Sequence, residues 1–197
     1  MNPRIAELVA KMTELKRQFE QAVAEELEAK SREFRYAIEH GKIAFTAEAR
    51  TLHRKVRQSV PAFLWETPIG TLLVSPVIYS LFIPLVLLDV SFWLFQTICF
   101  PVYGIAKVDR SRYVFMDRGH LRYLNAIERL NCNYCSYANG LFAYAREIAA
   151  RTEQYFCPIK EARRRLGAHS HYEAFLDFGD AEGYRKELLT LRSKLKP

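Results

Sequence analysis

Apolar residues recur at helical spacing through roughly the first sixty positions. Ile5, Leu8, Met12, Leu15 and Phe19 step by three and four, and Val23, Leu27, Phe34 and Ile38 carry the stripe onward. This pattern predicts an amphipathic helix. The run of fours from Leu15 to Leu27 resembles a stutter in a heptad pattern, which locally unwinds a coiled coil. Gly41 interrupts the run, and Phe45, Ala49, Leu52, Val56 and Val60 begin a second stripe that ends at Pro61. Residues 1–60 are therefore expected to form amphipathic, coiled-coil-like helices that pack within this chain or against a second copy.

The pattern then changes. From Ile69 to Ala106 the only ionisable acid or base, tyrosine aside, is Asp89. One straight helix of that length would measure about 57 Å, nearly twice the ~30 Å hydrocarbon thickness of a bilayer. It would also hold Asp89 near the bilayer centre, at a cost of roughly 3 kcal/mol or more. Folding the segment at Asp89 removes both difficulties and predicts a membrane hairpin over residues 61–107, with arms 69–88 and 90–106. Arg50, Arg54, Lys55 and Arg57 precede the segment, and Lys107, Arg110, Arg112, Arg118 and Arg122 follow it. Positive residues mark the cytoplasmic side, so two basic flanks imply two crossings with both termini cytoplasmic. Trp65 and Tyr103 near one interface, and Phe92 and Trp93 near the other, match aromatic belts. Pro76, Pro84 and Pro101 interrupt the arms, which leaves kinked helices or a hairpin that dips without crossing as alternatives.

Residues 108–197 return to a charged helical pattern. Asp117 is placed to cap a helix through about Asn131, Asn139-Gly140 signals a turn, and Leu141 to Phe156 predicts a second helix ending at Cys157-Pro158. A last stripe of Tyr184, Leu188, Leu191 and Leu195, ringed by Arg and Lys, fits a bundle helix or a membrane-surface helix. The fold class expected is all-α, an integral membrane protein with a transmembrane helical hairpin and cytoplasmic helical segments. The mean hydropathy of -0.14 averages over this division and hides it. A net charge of +7 suits anionic headgroups beside such a segment. The N-terminal residues interleave acids and bases without an apolar core, so the first apolar segment is expected to direct its own insertion.

The constellation with chemical content is LNCNYCSYANG followed by FCPIK. Thiolates at C-x-x-C spacing can both turn toward one tetrahedral zinc or an iron centre, so Cys132 and Cys135, with Cys157 as a third ligand, are candidate metal residues. Two other readings stay open. The pair fits a dithiol/disulfide switch, with Arg163, Arg164 and Arg165 lowering the Cys157 pKa if they face it, and it equally fits inert packing. A helix over Leu141–Phe156 measures about 24 Å and separates Cys157 from the pair, unless it bends or two chains share the site. His169 and His171 could complete a site, although surface histidines are commoner. His40, His53 and His120 show no partner pattern. The ARRRL run also suggests nucleic acid, but three arginines on a helix are ordinarily a solvated or lipid-facing surface, so nucleic acid is not the expected partner.

The stretch RYLNAIERLNCNYCSYANGLFAYAREIAARTEQYFCPIK resembles a family of small, uncharacterised bacterial membrane proteins, with similarity reaching back through the apolar segment. The resemblance implies the bacterial inner membrane and carries over Cys132, Cys135 and Cys157 as a shared set. It also leads one to expect His after C-P-I-K, where this chain has Glu161. No phosphate-binding loop, dinucleotide fingerprint, H-E-x-x-H pair or G-x-S-x-G elbow occurs, which argues against those enzyme classes. The function expected is a membrane-anchored scaffold that organises partners such as a second copy or another membrane protein, with zinc or iron as a candidate structural metal. The alternative is a membrane-bound redox protein using an iron-sulfur or dithiol centre.

Overall fold

A computed structural model of the chain describes residues 3–39, 42–163 and 165–197. His40, Gly41 with its expected helix break, and Arg164 lie outside the described residues. The fold is mostly helical. The chain divides into two compact units, one of residues 1–63 with 117–129 and the other of residues 64–116 with 130–197.

In the first unit the N-terminal stripe forms helix α1, Pro3–Glu33, bound along its surface by pairs such as Lys11–Glu7 at 2.7 Å and Arg17–Glu14 at 2.7 Å. Leu8, Met12, Leu15, Phe19 and Leu27 remain exposed on it. The helix ends sooner than the stripe predicts. Arg35 takes a left-handed φ of 55°, and Ile38 and Phe45, expected on helices, lie instead in a short antiparallel hairpin. Its strands β1, Tyr36–Glu39, and β2, Lys42–Phe45, pair Tyr36 with Phe45 and Ile38 with Ile43. Aromatic and β-branched side chains fit a pleated surface, and this local preference overrides the helical spacing. Thr46 then caps helix α2, Ala47–Lys55, by accepting from the Ala49 N–H. Helix α3 spans Val60–Glu66.

The apolar segment opens the second unit as helices α4, Ile69–Ser80, and α5, Phe82–Tyr103. They are separated only by Leu81, itself in helical geometry. Pro84 supplies no N–H for the Ser80 carbonyl, which accounts for the interruption at that point. The reversal expected at Asp89 does not occur, because Leu88, Asp89 and Val90 all lie inside α5. Among the described residues one helical stretch, Ile69–Tyr103, is long and apolar enough to cross a membrane, in place of the two arms 69–88 and 90–106.

The partner that removes the need for a turn comes from later in the chain. Gly104, at φ 66°, ends α5 in a left-handed cap, with the Ile105 N–H donating to the Phe100 carbonyl at 2.8 Å. The chain then doubles back along α5. Val108 exchanges hydrogen bonds with the Gln96 amide, its N–H donating at 3.0 Å. Two residues on, Arg110 grips Asp89 with two donors, Nη2 to Oδ2 at 2.6 Å and Nε to Oδ1 at 3.1 Å. Tyr137 adds a third donor at 3.0 Å, its phenol pushed up to about 12 by burial and by that bond to Asp89.

Helix α6, Ala126–Phe156, then runs beside α5 in the same direction. Tyr134 reaches the Ile78 carbonyl, Tyr137 meets Asp89, Tyr144 meets Gln96, and Tyr155 packs its ring at a tilt against Tyr103. The expected Asp117 cap and Asn139-Gly140 turn are both replaced. Asn125 caps α6 by accepting from the Ile127 and Glu128 N–H groups while Glu128 accepts from the Asn125 N–H, a reciprocal capping box. Gly140 stays helical because the return segment presses on it: a Cβ there would meet the Tyr113 carbonyl oxygen and lie 3.0 Å from the Val114 Cα. The core gathers Phe100, Ile105, Val108, Leu141, Tyr144 and Ile148. Helix α7, Ala181–Ser193, closes the unit, with the Ala106 N–H donating to the Leu195 carbonyl just beyond it at 2.8 Å.

The Asp89–Arg110 pair should therefore behave as a coupled unit. In thermal unfolding of detergent-solubilised protein, Asp89→Asn and Arg110→Gln should each lower the melting temperature. Their double mutant should cost less than the two single losses combined, with a coupling of roughly 1–3 kcal/mol. Strict additivity would show that the contact contributes nothing to holding the return segment.

Candidate functional site

The three candidate metal ligands are not brought together within one chain. Cys132 and Cys135 stand one turn apart on α6, the first half-buried and the second exposed, and Cys157 is exposed just past the helix end. Because α6 is unbroken, the axial distance from Cys132 to Cys157 is about 37 Å, longer still than the separation a two-helix reading implies. Among the described residues no group of three or more His, Cys, Asp or Glu side chains is arranged to hold a metal ion. Residues three apart on a helix are neighbours, so Cys132 and Cys135 remain close enough to act as a pair.

The polar cluster that does assemble lies at the other end of α6. Past Cys157 the chain pairs back on itself in a short parallel bridge between Ile159 and Leu176, with the Lys160 N–H donating to the Leu176 carbonyl at 2.7 Å and the Leu176 N–H to the Pro158 carbonyl at 2.9 Å. The loop so formed lays His169 and His171 against α6. The His169 Nε2 meets Glu153 Oε2 at 2.8 Å, and its side chain is only 8% exposed. On His171, Nδ1 meets Gln154 Oε1 at 2.6 Å and Nε2 meets Glu147 Oε1 at 3.2 Å. Gln154 is oriented by its own donation to the Leu191 carbonyl, so its oxygen faces the ring and the His171 Nδ1 is the donor.

Basic side chains complete the cluster. Arg151 donates to Glu147 at 2.8 Å and to the Ala106 carbonyl at 2.6 Å, while Arg165 donates to Glu153 at 3.2 Å and lies 3.7 Å from Glu161. Arg165 is thus engaged with carboxylates. Glu161, standing where the resemblance leads one to expect His, serves as one of those partners. The H-x-H pair, expected at the surface, is instead packed, and only the helical spacing of Glu147 and Gln154 with Arg151 between them hinted at a prepared face.

The His171 hydrogen bond, opposed by burial and reinforced by Arg151, holds the Glu147 carboxyl at about 2, well below its ordinary 4.5. A carboxyl depressed in the folded state contributes stability that is complete above its unfolded value and is lost as the pH falls below 4.5 toward 2.

Beside this cluster opens a cavity of about 650 Å³ whose lining is mostly apolar. Leu88, Phe92, Phe95, Ile148 and Phe156 line it with apolar surface, and Glu153, Glu161 and Arg165 supply charge. Its two hydroxyls are spent on backbone: Ser91 donates to the Leu87 carbonyl and Thr152 to the Ile148 carbonyl. The lining therefore suits a molecule with an apolar body and a polar end, and it pairs no nucleophile with a base among the described residues. No protein family, curated protein or solved structure matches the chain.

If the clasp depends on Glu147, Glu147→Gln should lower the melting temperature at pH 7 and flatten the stability loss between pH 4.5 and 2. An acid-unfolding curve identical to that of the unaltered protein would remove Glu147 from this role.

Proposed function

We propose that this protein is a membrane-anchored helical scaffold, held at the bilayer by one side of α4–α5 and associating through α1. The observation that carries the reading is the bare outer surface of Ile69–Tyr103, whose most apolar window is only 6% buried. On α5 two faces differ in burial. Leu85, Asp89, Phe92, Gln96 and Phe100 turn toward the return segment and α6, while Ile83, Leu87, Val90, Leu94, Ile98 and Val102 form an exposed stripe at the same helical spacing. Covering that stripe is worth on the order of 5–10 kcal/mol. A single myristoyl chain, by comparison, binds a membrane only marginally, with a constant of about 10⁴ M⁻¹.

The return segment decides how the helix would sit. Lys107, Asp109, Ser111 and Arg112 are exposed along it, and unpaired charge and irregular backbone are not tolerated against hydrocarbon. The exposed side of the return segment thus calls for water while the outer side of α5 calls for lipid. This favours a helix embedded from one side over one surrounded by lipid on all sides. Both basic flanks then stay on one face of the membrane, in keeping with cytoplasmic termini, and the resemblance points to the bacterial inner membrane.

Two experiments test the two halves of the reading. Membranes washed with alkaline carbonate should retain the protein, and Leu94→Lys combined with Ile98→Lys should release most of it while leaving the helical circular dichroism unchanged. A wild-type protein that stays soluble and monodisperse without detergent would overturn the anchoring. For association, Leu15→Asp with Phe19→Asp should reduce the particle mass measured by light scattering in detergent. An unchanged mass would rule out α1 as the contact.

A further inference from the structure

The first unit contains a second cavity, unlike the one beside the histidine clasp. It measures about 330 Å³ and is mostly polar, set between the β2 edge, α2, the Asp117–His120 turn and the first turn of α6. Arg50, Arg122 and Arg129 line it together with His120, Gly119 and Phe45. Three arginines around so small a space concentrate positive charge there, which an anion between them would offset.

The described residues do not supply that charge. Neither Arg50, Arg122 nor Arg129 forms an ion pair with a described carboxylate, in contrast to Arg110, Arg151 and Arg165 in the other unit. Glu128 is adjacent to Arg129 in sequence, but its carboxylate accepts from the Asn125 N–H at 2.8 Å. The Arg129 Nε is buried and has no hydrogen-bond partner, and the Asn125 Nδ2, one turn earlier, is buried and unpartnered too. A buried donor left unmade costs roughly 1–3 kcal/mol, more for a charged group. His120 turns Nδ1 to the Asp117 carbonyl at 3.3 Å, which leaves Nε2 available.

We infer that this cavity is a binding site for a phosphate group, with Arg50, Arg122 and Arg129 as its ligands. Guanidinium forks match tetrahedral phosphate oxygens, and several around one pocket select dianionic over singly charged groups. A free phosphate compound and the headgroup of an anionic lipid present the same chemistry. The site is independent of the anchoring face, because all its residues belong to the first unit.

The test uses the full chain in detergent micelles titrated with inorganic phosphate by calorimetry. A second arm floats the protein on phosphatidylcholine vesicles with and without phosphatidic acid. Saturable binding to phosphate identifies a soluble ligand, whereas a gain seen only with phosphatidic acid identifies the headgroup, and either result supports the site. Arg129→Gln and Arg122→Gln should each weaken that binding at least tenfold. Arg54→Gln, on α2 but outside the cavity, should leave it unchanged. Arg122 is exposed, so its substitution keeps the test sound even if Arg129→Gln fails to fold. Equal weakening in all three variants would reduce the effect to diffuse surface charge, and no saturable response in either arm would overturn the site. Flotation on phosphatidylcholine alone reports only the anchoring face, so the two proposals fail separately.

Discussion

The second unit depends on a constraint set by one residue: a carboxylate in the middle of an otherwise apolar helix must find a cation. Asp89 finds it in Arg110, and because only the return segment can deliver Arg110, the chain after Gly104 must lie back along α5. Gln96 imposes the same demand two turns later and satisfies it with the Val108 backbone and the Tyr144 hydroxyl. Once these contacts are made, α6 has one available place, since Tyr137 and Tyr144 complete the two polar centres. The apolar contacts of Phe100, Leu141 and Ile148 add the larger energy, but they are non-directional, and it is the polar centres that set the register.

That constraint also explains what the sequence disclosed and what it concealed. The stripe of α1 and the apolar run of α4–α5 are local patterns, and both appear as helices. Asp89 suggested a turn because a bare carboxylate inside an apolar segment is costly. What the local pattern lacked was a neutralising partner twenty-one positions away. Gly140 misled in a related way. A glycine after asparagine signals a turn when judged from its neighbours, whereas here it makes room for the Tyr113–Val114 backbone. The C-x-x-C spacing was visible, but the distance to Cys157 depended on that same supposed turn. The histidine clasp was the least legible feature, because it joins a loop to α6 through contacts sixteen to twenty-four residues apart.

Among the described residues α5 and α1 each carry a bare apolar stripe, and the two stripes differ in their surroundings. On α5 the stripe is broad, its neighbours are themselves apolar, and between Ile69 and Tyr103 no charge intervenes except the paired Asp89. Such a surface has no polar rim to define a protein interface, whereas hydrocarbon accepts it without further specification. On α1 the stripe is one side chain wide, and charges of both signs flank it in pairs three or four residues apart.

Those charges argue against lipid for α1. A helix lying on an anionic membrane carries an excess of Lys and Arg on its polar face, but α1 bears Glu7, Glu14, Glu20, Glu25, Glu26, Glu28 and Glu33, which headgroups of the same sign would repel. A narrow seam bordered by mixed charge is the form taken by helices that pair with other helices, where the seam supplies the affinity and the flanking charges choose the partner and its register. The spacing of four from Leu15 through Phe19 and Val23 to Leu27 would relax the supercoil of such a pair at its middle. A left-handed coil there would straighten locally, so contact between two copies would be tightest over Leu8 to Leu15 and looser beyond it. The two stripes therefore follow from charge placement alone: where charge is absent the helix is suited to lipid, and where charge is dense and balanced it is suited to another helix.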